Sequence, residues 1–518
     1  MNNAFSANTV ADGTDGPVGE AAHVAVVGGG IAGLAAAYFL KDTAARVTLF
    51  EAKPDIGGKL TVSKIAGMAV DEGAEAMLVR RPEGTDLVAA VGLAGELVNP
   101  ATTAAAIWTR GALRPLPRGQ VMGVPGDLAA LARSRILSSA GLARASFDLA
   151  LPATSGDGDV AVASRVAARV GREVVDRLVE PLLGGVYAGR ADDLSFEATV
   201  PGLAAAAREH RTLTAAVRSV LAATARNRPA GAPRDVGHDS ADAPVFTTLV
   251  GGLGTLPPAL AAAAGATVRT GATVRDLRRT AAGWRLTVGA ADAPEYVDAE
   301  AVVLALPARP ASRLLRAEVP AAAAALGEIE YASMAIVTLV FPRDAFGRRP
   351  RGSGYLVPAV DGRAVKAVTF SSVKWPHLAR GSAPGRLRTA DSEKASEAVR
   401  CSIGRIGEEQ VLQRPDEDLV TLAGAELAAA VGVRGRPVAT RVTRWGGALP
   451  QYSVGHVARV ARIRAAVAAE PGLAVCGAAY DGLGIPACIA TAANAAAQVR
   501  EYLARRRRRP ARRADEGE

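Results

Sequence analysis

The chain has 518 residues, 49% of them apolar, with a formal net charge of +10. That length supports two or three cored domains, and an excess of positive charge this small does not describe a nucleic-acid binder. Three cysteines with no CxxC pair, and five scattered histidines, exclude a disulfide scaffold and a predicted metal site.

In chain order, residues 1–21 carry acids but no Lys or Arg and read as a disordered leader, not a targeting peptide. Val24–Val27 is a β-branched run that opens into Gly28-Gly29-Gly30-Ile31-Ala32-Gly33, an apolar helical stretch to Leu40, and a second strand at Arg46–Glu51. This is a β-α-β unit, the start of a doubly wound α/β fold. Residues 85–227 are Ala- and Leu-rich with helical spacing, as in Val160–Val170 and Glu173–Leu183, and 228–244 is a polar Pro/Gly loop. Strand-like text resumes at Val245–Leu249, Ala266–Arg269, Thr273–Leu277, Trp284–Val288 and Ala301–Leu306, then at Ala335–Phe341, Gly354–Pro358 and Ala364–Ser371. A polar loop at Gly381–Ser396 follows. The chain closes with a strand at Leu473–Cys476, a Gly-rich turn and a helix to about Ala504. The stretch Leu473–Val499 is apolar enough to suggest a membrane span, but Gly477, Gly482, Gly484 and Pro486 break it. The tail 505–518, with seven Arg against three acids, reads as a basic, disordered terminus with no nucleic-acid motif beside it.

The GxGxxG places glycines where a turn must be tight, where a pyrophosphate must reach the backbone and where helix and strand must pack closely; the helix N-terminus then faces the phosphates. Glu51 ends the next strand, where a carboxylate accepts both ribose hydroxyls and would repel a 2′-phosphate. Ala52, Gly57-Gly58 and Lys59 extend the phosphate-binding surface. Val70-Asp71-Glu72-Gly73-Ala74-Glu75, Gly251-Gly252-Leu253-Gly254, Val274 and the run Cys476–Ile489 complete the set. Cys488 reads as a buried structural thiol.

Together these stretches resemble the flavin amine oxidase superfamily. The resemblance implies a discontinuous FAD-binding, Rossmann-like domain (22–84, 245–309, 440–504), a largely helical insertion (85–227) and a mixed-sheet substrate domain (310–439). It implies non-covalent FAD held by Gly28, Gly29, Gly30, Ile31, Ala32, Gly33, Glu51, Ala52, Gly58, Lys59, Asp71, Glu72, Gly73, Ala74, Val274, Trp445, Gly477, Leu483, Gly484 and Ile485.

The runs Val179–Gly189, Arg118–Pro125 and Trp445–Tyr452 with Gly455-His456 are similar to the porphyrinogen oxidases of haem synthesis. Amine oxidases of the superfamily keep a Lys near the flavin. Here no Lys occurs between residues 65 and 365, and Met334 and Ala335 stand in that neighbourhood. The resemblance implies oxygen-dependent dehydrogenation in three two-electron steps, hydride passing to flavin N5 and dioxygen leaving as peroxide, with no catalytic base in the protein. Coproporphyrinogen III is the favoured substrate, protoporphyrinogen IX the alternative, and another flavin desaturase or amine oxidase stands behind both. Gly185 is expected to offer its carbonyl to the macrocycle. Arg80 and Arg81 are the candidates for its carboxylates, with Arg110 and Arg114 behind them. The expected location is the cytoplasm, with peripheral contact at the inner membrane face. Transfer of the product to a ferrochelatase follows only from the pathway, and oligomeric state is open.

Overall fold

The computed structural model describes residues 21–153, 158–226, 244–378 and 396–508. The expected leader, the 228–244 loop, nearly all of the Gly381–Ser396 loop and the last ten residues lie outside that set or almost wholly so.

Ala22–Val27 is buried on both faces and therefore sits at the centre of a sheet. Its odd and even positions divide between two cores: Val24 and Val26 face one, Ala25 and Val27 the other. The sheet is parallel, in the order Thr267–Arg269, Ala45–Phe50, Ala22–Val27, Ala301–Leu304, Leu473–Val475. The helices Ile31–Phe39, Leu256–Ala264 and Ile485–Arg508 cover the first face. On the second lie a three-stranded antiparallel sheet (Val274–Arg279, Trp284–Gly289, Pro294–Ala299) and the helices Ala308–Leu315, Pro320–Gly327 and His456–Ala468. This is the expected doubly wound α/β domain.

A second, seven-stranded sheet runs Ala439–Pro450, Tyr331–Pro342, Ser396–Ile403, Val365–Phe370, Gly354–Leu356, Ala105–Thr109, Ala112–Pro115. Every neighbouring pair is antiparallel except Gly354–Leu356 with Ala105–Thr109. Helix Asp416–Val431 packs Leu419, Ala423 and Leu427 against it. A third, helical layer from Leu128 to Arg226 has its own core.

The domain limits shift in four places. Ala439–Pro450 belongs to the seven-stranded sheet because it pairs along Tyr331–Pro342, so residues 440–450 are not part of the cofactor domain. Ala105–Pro115, expected within the helical insertion, closes the other edge of the same sheet. Residues 310–327, expected in the substrate domain, lie in the helices Ala308–Leu315 and Pro320–Gly327 that pack on the parallel sheet. The last helix continues through Arg508, with Arg505 paired to Glu501 at 2.5 Å and Arg507 donating to the Ala44 carbonyl at 2.7 Å; Arg505–Arg508 are thus folded and not tail. Glu173–Leu183, expected as one helix, is interrupted by a π turn at Val175–Val179 just ahead of Pro181, which has no N–H to donate.

The helical layer is fixed by one buried charge. Asp148, fully buried, accepts from Arg169 Nε at 2.6 Å and from Thr214 N and Oγ1, each at 2.9 Å. Removing the carboxylate takes a charge-assisted partner from the Arg169 guanidinium, which is 5% exposed. We expect Asp148→Ala to cost about 3–5 kcal/mol, read as a lower denaturation midpoint in urea; an unchanged midpoint would show that the pair is dispensable.

Candidate cofactor and substrate site

The glycine turn is closed by steric necessity. Gly28 has φ of +111°, and a Cβ there would lie 2.5 Å from the Ala305 carbonyl oxygen. A Cβ on Gly33 would lie 1.8 Å from the Gly28 oxygen. Gly30 differs from both, since its Cβ direction meets nothing within 4 Å. The backbone at Gly30 therefore borders open space at the N-terminus of Ile31–Phe39, the place where a pyrophosphate approaches. The cradle fits a dinucleotide.

Glu51 is positioned by its own backbone, donating N–H to the Arg269 carbonyl at 2.8 Å, and Ala272 N–H returns to the Glu51 carbonyl at 2.8 Å. Its carboxylate accepts from Gly29 N at 2.6 Å and Lys53 N at 2.8 Å. Each oxygen keeps lone-pair capacity for a ribose hydroxyl. The Ala272 bond also brings Val274, two residues on, beside this end of the sheet.

Gly57 N donates to the Gly29 carbonyl at 2.8 Å, and Gly58 packs on Gly30. Lys59 remains solvent-accessible while surrounded by protein; burial, with the Lys53 charge behind it, holds its ammonium pKa below the ordinary lysine value. Gly73 lies against the Lys59 carbonyl and the Trp445 ring, and Trp445 Nε1 donates to the Glu72 carbonyl at 2.9 Å. Gly477 approaches Ala32, and the Leu483–Ile485 turn opens the last helix beside them. Fragments separated by more than four hundred residues, such as Ala32 and Gly477, thus come together here. Cys488 is buried, with its thiol pushed up to about 11 by burial, consistent with an unreactive structural cysteine.

The substrate side is assembled less tightly. Met334 sits opposite Trp445 in the strand register, in the neighbourhood where the superfamily resemblance implies a lysine for an amine oxidase. Gly185 lies on the helix Glu180–Tyr187, with Leu356 of the seven-stranded sheet 3.3 Å from where its Cβ would be. Arg81 precedes the helix Pro82–Ala90 and gives Nε and a terminal nitrogen to Glu83, the latter at 2.7 Å; Arg80 is exposed. The guanidinium of Arg110 is engaged by Glu173, and Arg114 lies in the edge strand Ala112–Pro115.

The sequence did not reveal how the Asp71–Glu75 turn is charged. Glu75 is clamped by Lys374 at 2.8 Å and Arg400 at 2.5 Å, and Arg400 also donates to the Gly73 carbonyl at 2.6 Å. Burial alone would raise the Glu75 carboxyl, but the Lys374 and Arg400 charges overcome it and hold the group at about 2. Four residues earlier the outcome reverses. Burial pushes Asp71 up to about 7 although Arg400 and the amides of Leu253 and Gly254 oppose it. Asp71 was legible as a motif residue. Its partners at 253–254 and those of Glu75 at 374 and 400 are remote in sequence and carry no local signal.

Comparison with known proteins gives one consistent result. The family described as flavin containing amine oxidoreductase matches residues 31–500. The coproporphyrinogen III oxidase of Bacillus subtilis (strain 168) is 32% identical, covering 93% of this chain and 98% of its own. That of Mycobacterium bovis is 38% identical, covering 92% and 97%. A crystal structure from Exiguobacterium sp. 255-15, described as a candidate protoporphyrinogen oxidase, superposes with a TM-score of 0.77 at 28% identity, covering 93% of this chain and 99% of that one.

Two measurements probe this site. Gly30→Ala should leave the stability of the cofactor-free protein unchanged and raise the dissociation constant for FAD about tenfold or more, because the methyl enters the space of the pyrophosphate; equal affinity would place the phosphates elsewhere. For Asp71, with an unfolded pKa near 3.8 and a folded one of about 7, the stabilising contribution is full below the unfolded pKa and is lost as pH rises through the folded pKa. Asp71→Asn should therefore gain thermal stability relative to the unsubstituted protein as pH rises from 5 to 8. A constant difference would refute the shift.

Proposed function

Because the chain belongs to the flavin containing amine oxidoreductase family, and FAD is its cofactor, we propose that it is an oxygen-dependent oxidase that converts coproporphyrinogen III to coproporphyrin III in haem biosynthesis. The observation that carries the substrate reading is Met334 opposite Trp445: the substrate-facing strand presents no amine-oxidase lysine beside the cleft, while curated relatives matched over more than nine-tenths of the chain are coproporphyrinogen III oxidases.

When bound, the flavin supplies the two-electron acceptor and dioxygen restores it. The protein's own work is positional. The Gly28–Gly33 turn, Glu51, Gly57–Lys59 and the Asp71–Gly73 turn fix the cofactor. Trp445 and Met334 give the cleft an apolar wall that suits a flat macrocycle. Gly185, which packs closely on Leu356, is assigned to offer its backbone carbonyl to the macrocycle. Arg80 and Arg81 are assigned to the substrate carboxylates. Glu83 already engages Arg81, so a propionate must share or displace that partner. No catalytic base is assigned, since aromatisation drives the loss of hydrogen.

Protoporphyrinogen IX is the second reading, favoured by the description of the Exiguobacterium relative. The proposal extends to a cytoplasmic enzyme with peripheral membrane contact that passes its product to a ferrochelatase. No helix among the described residues is long and apolar enough to cross a membrane, and Phe147 and Leu149 project from the helical layer at 58% and 51% exposure.

Holoenzyme mixed with colourless coproporphyrinogen III in air should produce porphyrin fluorescence with oxygen uptake. Arg81→Ala should lower kcat/KM for this four-carboxylate substrate about tenfold and for protoporphyrinogen IX by less. Equal losses on both would remove Arg81 from carboxylate recognition.

A further inference from the structure

Behind the Asp71–Glu75 turn lies a small cavity whose walls come from three separate parts of the chain. Ala69, Val70, Asp71 and Glu75 contribute one wall; Thr248, Leu249 and Gly252 a second; Ser371, Trp375, His377 and Leu378 the third. Its volume is about 10 Å³, space for the centre of about one water molecule. Three of the lining residues carry polar atoms that find no hydrogen-bond partner among the described residues: Thr248 Oγ1, Ser371 Oγ and Trp375 Nε1. All three residues are at least nine-tenths buried, at 2%, 1% and 2% exposure. One unsatisfied buried group costs about 1–3 kcal/mol, and three on a single cavity are too many to leave unpaired in a stable fold.

The chemistry of the walls selects the ligand. Trp375 Nε1 only donates, so it repels a metal or ammonium ion. Asp71 and Glu75 are also among the lining residues, and acidic side chains do not favour an anion. Hydroxyls both donate and accept. What matches an obligate donor, two hydroxyls and a volume of this size is a small neutral molecule with both donors and acceptors.

We propose that this cavity is a specific binding site for one internal water molecule. It accepts from Trp375 Nε1, exchanges hydrogen bonds with the Thr248 and Ser371 hydroxyls, and ties the flavin-facing turn to the seven-stranded sheet. Thr248 and Asp71 lie on strands of the cofactor side (Phe246–Leu249 and Met68–Asp71), whereas Ser371 begins the short helix Ser371–Lys374 directly after sheet strand Val365–Phe370. The water bridges the same two parts that Glu75 joins through Lys374 and Arg400, and so adds a neutral link beside the ionic one. The site is independent of the substrate and stands whether or not the chain oxidises porphyrinogens.

The sign of a stability change tests it in the holoenzyme. Thr248→Val keeps the shape of the side chain and removes the hydroxyl. If a water is bound, the substitution removes one of its partners, and the thermal midpoint should fall by about 1–3 °C, with Ser371→Ala behaving alike. If the cavity is dry, Thr248→Val abolishes an unsatisfied polar group, and the midpoint should rise or stay level; that outcome overturns the proposal. A crystal structure of the holoenzyme at a resolution that shows ordered solvent provides the second arm. A single peak within hydrogen-bond distance of all three atoms is expected, and no peak there overturns the assignment.

Discussion

The contact between Gly33 and the Gly28 carbonyl is the constraint on which the cofactor half of the molecule depends. With no side chain at Gly33, the helix Ile31–Phe39 starts directly against the end of strand Ala22–Val27; a methyl there would overlap the oxygen at 1.8 Å. That close start lets Gly57 donate to the Gly29 carbonyl and Gly29 donate to Glu51. Several backbone amides and one helix dipole then converge on open space at Gly30. The cofactor site is thus a property of backbone approach, with side chains adding selectivity at Glu51 and charge at Lys59.

A second constraint couples this half to the rest. The turn Asp71–Glu75 leaves the cofactor side and is held by Lys374 and Arg400, both carried by the other part of the molecule. Trp445, from the edge strand of the seven-stranded sheet, binds the same turn through the Glu72 carbonyl. The Asp71–Glu75 turn is therefore fixed from the seven-stranded sheet and the helix beside it, and any movement of that sheet is felt at the turn. Adjacent acids with opposite shifts, Asp71 near 7 and Glu75 near 2, follow from whether charge partners outweigh burial.

The parts of the fold legible in the sequence were those with local period or punctuation. The strand–glycine–helix start was readable because β-branched residues, glycines and an acidic strand end follow one another within thirty positions. The last helix was readable up to its end, but five consecutive arginines looked like a solvated tail. Arg505–Arg508 continue the helix, and Arg505, Arg506 and Arg507 donate to Glu501 and to the carbonyls of Ala282 and Ala44. Sheet membership was not readable. Ala439–Pro450 and Ala105–Pro115 are ordinary strands in isolation, and only long-range pairing places them in the seven-stranded sheet. Helices Asp416–Val431 and His456–Ala468 escaped notice, although the first carries Asp416, Glu417 and Asp418 in its first turn and ends at a left-handed Gly432. At the candidate site, the glycine and acid positions carry a local motif, whereas Lys374 and Arg400 do not, since nothing local distinguishes a buried ion-pair partner from a surface cation.

The central claim is that the cleft between the Gly30 cradle and Met334 oxidises a porphyrinogen and not an amine. Its most direct test is anaerobic mixing of the FAD-loaded protein with each substrate, following the flavin absorbance. The account predicts rapid bleaching by coproporphyrinogen III, slower bleaching by protoporphyrinogen IX and none by a primary amine. Bleaching by the amine with neither porphyrinogen reacting would contradict it.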